Sequence, residues 1–113
     1  MTTNRQHKVS RLLQKELGEY LQRSGKEITG GKMITVTVVR ISPDLGIAKV
    51  YLSIFPGEDA EETVKAISEK AGLVRSEMGN RLRNQLRHIP QFAFFLDDSL
   101  DYIDRIEDLL KDE

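Results

Sequence analysis

A chain of 113 residues supports one domain whose core buries about two thirds of the surface that the unfolded chain exposes. The absence of cysteine excludes disulfides, thiolate metal sites and cysteine nucleophiles. There is no apolar run of transmembrane length and no signal-peptide core near Met1, so a cytoplasmic protein that does not engage a membrane is expected.

The formal net charge of -1 conceals four blocks of alternating sign: +5 over residues 1–55, -4 over 56–69, +4 over 70–90 and -6 over 91–113. A basic face is compatible with a neutral total, because a phosphate senses mainly the charges within a Debye length of about 8 Å.

Val9, Leu12, Leu13, Leu17, Tyr20 and Leu21 keep helical spacing, which predicts an amphipathic helix over residues 5–24 ended by Gly25. Lys8, Arg11 and Lys15 share its back face, with Arg5 toward the edge. A solvated surface is the plain explanation of these charges, and an anion-binding face the functional one. After Gly30-Gly31, residues 33–41 alternate Ile34, Val36 and Val38 against Thr35 and Thr37, a strand with one buried side. Turn chemistry at Ser42-Pro43-Asp44-Leu45-Gly46 joins it to a second strand, where Ala48, Val50, Leu52 and Ile54 alternate with Lys49, Tyr51 and Ser53. Pro56-Gly57 breaks that strand, and the acids of residues 58–62 suit the start of a helix carrying Val64 and Ile67.

That helix abuts another at Ala71-Gly72 with no loop of ordinary length. From Gly72 or Leu73, the apolar residues Val74, Met78, Leu82, Leu86 and Ile89 occupy one arc, so the second helix is expected to run until Pro90 stops it. Arg83 and Arg87 then project from the opposite side with Asn80 and Asn84, while Arg75 lies near the apolar edge, where it packs or pairs internally. Phe92, Phe94 and Leu96 mark a third strand, apolar enough on both sides to be mostly covered. Asp98 can cap a last helix over residues 99–112, with Leu100, Ile103, Ile106 and Leu110 as its packing stripe.

The order helix, strand, strand, helix, kink, helix, strand is that expected of an α+β, type II KH-like domain, here spanning residues 1–113 with a peripheral C-terminal helix. Several strings sharpen the likeness: Val36 through Leu45, Ala48 through Ser53, Gly72-Leu73-Val74-Arg75, Arg81-Leu82-Arg83, and Ile89-Pro90 followed by Phe94 and Asp97. Together they closely resemble the ribosome-binding factor A family of bacteria, from about Arg5 to about Asp108. The resemblance implies a non-enzymatic assembly factor that binds the immature small ribosomal subunit and its ribosomal RNA, and assists late processing and maturation. It also implies a role in growth in the cold and a GTPase that promotes release, while nothing in the sequence calls for a dimer, a cofactor or a metal, so a monomer without them is expected.

The family's interhelical kink is an alanine-x-glycine sequence. Gly72 matches the glycine, but Lys70 stands at the alanine position, where its side chain could lean outward to a phosphate. The implied RNA-binding residues are Lys8, Arg11, Lys15, Lys70, Gly72, Arg75, Arg83 and Arg87, contacts of the kind that position RNA without reading its sequence. The alternative from another class is a protein-protein interaction module without RNA binding, which the near-neutral charge and few aromatics suit. Whether the basic blocks form one surface separates the two. An enzyme is disfavoured, because His7 and His88 lie in unrelated segments with no metal-ligand partner at helical spacing.

Overall fold

The computed structural model describes residues 4–97, without the side chains of 24–29. Its order is α1 (Asn4–Thr29), β1 (Met33–Ile41), β2 (Ile47–Phe55), α2 (Ala60–Glu69), α3 (Ala71–Leu82) and β3 (Gln91–Leu96). The helix expected over 99–112 lies outside the described residues. α1 runs through Gly25, which the periodicity reading took as its end. It stops at Gly30 and Gly31, whose φ angles of +67° and +85° are the left-handed values that glycine adopts without steric cost.

The strands form one sheet in the order β1-β2-β3, with β1 and β2 antiparallel and β2 and β3 parallel. The helices gather on one side of it. Leu13, Leu17 and Leu21 from α1, Ile67 from α2, and Val74, Met78 and Leu82 from α3 are fully buried with Ile34, Val50 and Leu52 of the sheet. This is the KH-like α+β architecture that the element order implies.

β1 departs from simple alternation. Its pairing to β2 slips between Val36 and Val38, a β-bulge at Thr37 that flips the side chains beyond it to the other face. Val38 is consequently exposed, contrary to the alternation pattern, and Val39 and Ile41 take the core positions.

The outer edge of β1 is occupied by side chains of α1. Gln6 Nε2 donates to the Ile41 carbonyl at 2.9 Å, Gln14 Nε2 to the Thr37 and Val36 carbonyls at 3.1 and 3.3 Å, and Gln22 Nε2 to the Ile34 carbonyl at 3.4 Å. The spacing follows from the two rises. Sixteen residues of helix cover about 24 Å and seven of strand about 23 Å, so glutamines eight apart keep pace with an antiparallel strand.

At the other end of the hairpin, Ser42 Oγ accepts from the Gly46 and Ile47 amides and donates to Asp44 Oδ1 at 2.6 Å. The Ser42 hydroxyl, followed by the Gly46 amide, holds the Asp44 carboxyl below the ordinary carboxylate range. A Cβ on Gly46 would stand 3.2 Å from Asp44 Oδ1, so glycine suits this turn. The Gly46 carbonyl accepts the Gln91 amide at 2.9 Å and thereby sets where β3 begins.

Gln6 is the buried member of the row, at 5% exposure. Gln6→Ala orphans the Ile41 carbonyl and is expected to destabilise the fold by about 1–3 kcal/mol, read in urea as a lower midpoint with an unchanged slope.

Candidate nucleic-acid interface

A single residue, Lys70, separates α2 from α3, with φ -102° and ψ 16°. Its amide donates to the Ile67 carbonyl and its own carbonyl accepts from the Val74 amide, each at 3.0 Å. The junction is thus as abrupt as the abutting helical patterns predict, though α3 opens one residue early, at Ala71. Lys70 and Gly72 are exposed. A Cβ on Gly72 would meet nothing within 4 Å, so no contact among the described residues demands a glycine there.

α3 ends at Leu82 and does not reach Ile89. The Gln85 and Leu86 amides both return to the Leu82 carbonyl at 2.8 Å, closing a turn. Continued helix would carry residue 89 about 10 Å further along the axis, whereas the chain has to come back for Gln91 to reach Gly46. Leu86 and Ile89 still pack on the core and Pro90 is fully buried, so their apolar pattern marks burial in a non-helical segment. Arg83 caps the C-terminus of α3 and Arg87 lies beyond it, so they do not share one helix face as the periodicity suggests.

That return brings Arg87 to α1. Arg5, Lys8, Val9 and Leu12 on one wall and Gln85, Leu86, Arg87 and His88 on the other form an open groove of about 660 Å³. Its floor is aliphatic and its rim basic. A second groove, of about 550 Å³, follows α1 along β1, where His7, Arg11 and Gln14 face the stretch from Thr37 to Ile41, Arg40 included. Among the described residues no acidic side chain lines either groove.

Of the eight residues expected to bind RNA, the fold therefore brings Lys8 and Arg87 into one groove and sets Arg11 in the neighbouring one. Lys15 and Arg83 are exposed outside both, as are Lys70 and Gly72 at the junction. Arg75 Nε donates to the Ile89 carbonyl at 3.1 Å, the internal pairing that its place at the apolar edge suggests. It ties α3 to the segment that carries Arg87.

Arg81 is also drawn inward. Its Nη1 lies 3.4 Å from Glu16 Oε2, its Nε 3.4 Å from Glu77 Oε1, and its guanidinium 5.5 Å from the centre of the Tyr20 ring. Sequence reasoning left out Arg40 and did not place Arg5 or His88 at a groove, though it set Arg5 at the edge of the basic face of α1 and read His88 as a surface or RNA-facing group. The available signal was the adjacency of Arg87-His88 to the apolar Leu86, matching Arg5 and Lys8 around Val9 and Leu12.

The family description "Ribosome-binding factor A" matches residues 5–110. The chain belongs to the ribosome-binding factor A family. It is similar to ribosome-binding factor A of Christiangramia forsetii, 48% identical over 96% of this chain and 84% of the relative. The factor of Brevibacillus brevis is 40% identical over 99% and 91%. Among solved structures, the crystal structure of ribosome-binding factor A from Thermus thermophilus superposes with a TM-score of 0.67 at 23% identity, over 80% of this chain and 94% of that one. A Thermus thermophilus homology model fitted into a cryo-EM map of a 30S complex of that factor gives 0.60 at 25% identity, over 76% and 88%.

The two neighbouring arginines are predicted to separate cleanly. Arg81→Ala, which removes a half-buried guanidinium from two carboxylates and a ring, is expected to lower stability by about 1 kcal/mol. Arg83→Ala, at an exposed position, is expected to stay within about 0.5 kcal/mol of the parent in the same urea titration.

Proposed function

We propose that this chain binds the immature small ribosomal subunit through its ribosomal RNA and assists late processing and maturation, as a binding factor without chemistry of its own. The observation that carries the reading is the groove where Arg5 and Lys8 of α1 meet Arg87 and His88, cationic along its rim and free of acids among the described residues. Such a surface suits a phosphate backbone, whose charge dominates affinity for nucleic acid. Family membership supports the same partner, as does the 30S complex in which the Thermus thermophilus protein was fitted.

In this reading Lys8 and Arg87 hold the backbone, Arg11 continues the contact beside Arg40, and Lys15 and Arg83 flank it. Lys70 and the bare Gly72 form a second contact at the helix junction, and Arg75 positions the wall that carries Arg87. Cytoplasmic location, a monomeric state, a role in the cold and release by a GTPase belong to the same reading. Among the described residues no helix is long and apolar enough to cross a membrane, and no group of three or more His, Cys, Asp or Glu could hold a metal ion.

Cosedimentation with small subunits, large subunits and mature ribosomes at several salt concentrations tests it. With about four phosphates neutralised on single-stranded RNA, log affinity for small subunits should fall against log salt with a slope near -3. In Lys8→Ala/Arg87→Ala the slope should relax to about -1.4, and binding should weaken. A flat salt response, or equal binding to every particle, would return the protein-binding alternative to the front.

A further inference from the structure

The groove between α1 and residues 85–88 combines two chemistries, and phosphate binding uses only one of them. Arg5, Lys8 and Arg87 supply positive charge at the rim, and none of the three forms an ion pair among the described residues. Arg5 and Lys8 stand one helical turn apart, with Cβ atoms about 5–6 Å from each other. The floor is different. Val9 is buried beneath it, while Leu12 and Leu86 pack on the core but keep part of their surface open. A phosphate gains nothing over such a floor, because an oxyanion there gives up water for groups that cannot hydrogen-bond.

The polar groups divide in the same way. Lysine and arginine only donate hydrogen bonds, which suits phosphate oxygens, whereas base edges present donors as well as acceptors. Gln85 brings an amide that both donates and accepts, and its exposed side chain makes no hydrogen bond with a described residue. The groove volume of about 660 Å³ lies within the range of about 300–1,000 Å³ typical of small-ligand sites, enough for a nucleotide and too little for a duplex.

We propose that this groove seats an unpaired nucleotide, its base lying over Val9, Leu12 and Leu86 with the Gln85 amide at its edge, and its flanking phosphates held by Arg5, Lys8 and Arg87. In a duplex the base faces are stacked on one another and the backbone lies outermost, so a recessed apolar floor goes uncovered. An unstacked base offers a flat apolar face and a free edge together. Adenine fits best, since a purine covers the most floor and a glutamine amide can pair with N6 and N7 at once. The Arg87 guanidinium or the His88 ring, on the facing wall, can close over the other side of the base. The inference rests on RNA binding by this groove and adds which form of RNA the groove accepts.

Three probes of equal length test it: an oligoadenylate, the same strand paired with its complement, and a ribose-phosphate strand without bases. At one salt concentration the single-stranded oligoadenylate is expected to bind about tenfold more tightly than either of the others, although the duplex carries more charge. Gln85→Ala should narrow that advantage severalfold. In methyl NMR spectra of the unaltered protein, the ring current of the base should shift Val9, Leu12 and Leu86 when oligoadenylate is added, and the base-free strand should leave them in place. Equal affinity for all three probes, or tighter binding of the duplex, with either weakened by Lys8→Ala/Arg87→Ala, would overturn the inference and leave RNA binding by the groove intact. Shifts at Leu73, beside Gly72, with none at the three floor residues would seat the base at the helix junction and overturn it as well. Failure of every probe to bind would overturn the inference and the RNA-binding reading together.

Discussion

The row of glutamine amides from α1 to the edge of β1 is the constraint on which the rest of the arrangement depends. An edge strand presents carbonyls that invite another chain, and Gln6, Gln14 and Gln22 engage those of Ile41, Thr37, Val36 and Ile34. The apolar stripe of α1 would by itself allow the helix to slide or rotate over the sheet. Directional bonds at three levels remove that freedom. They fix the first turns of α1 where residues 85–88 return from α3, and so they determine which cations become neighbours.

The segregation of charge along the sequence then acquires a spatial meaning. The basic block at 70–90 divides into inward and outward members: Arg81 joins Glu16, Glu77 and Tyr20, Arg75 holds the Ile89 carbonyl, and Arg87 faces Lys8. A guanidinium between two carboxylates adds little to a field that attracts phosphate. The cations at the groove's rim meet no carboxylate among the described residues, which is how a chain with a net charge of -1 can present a basic surface.

Much of the fold was legible because burial leaves periodic traces. The stripe of Val9, Leu13, Leu17 and Leu21 and the alternation of Ala48, Val50, Leu52 and Ile54 correspond directly to observed core positions. Periodicity fails where burial and backbone conformation separate. Leu86, Ile89 and Pro90 are packed against the core from a turn and an extended segment, so a helical spacing of apolar residues overstated α3 by seven residues relative to its end at Leu82. The bulge at Thr37 is a property of pairing between strands, invisible in β1 alone. Gly25 read as a stop, but a glycine within a helix weakens it by only about 1 kcal/mol. At the site, Lys8 and Arg87 were legible as cations, while their meeting depended on the course of the chain after Leu82.

The parallel pairing of β3 with β2 bears on when this surface comes into being. Joining Gln91 to Gly46 closes a loop through both later helices, at an entropic cost of about 3 kcal/mol from its length alone. The hairpin of β1 and β2, by contrast, closes over a five-residue turn. During synthesis α1 and the hairpin leave the ribosome with one wall of the groove, and the opposite wall has not yet been made. The groove is thus a property of the finished chain, absent from any nascent fragment that stops short of residue 85.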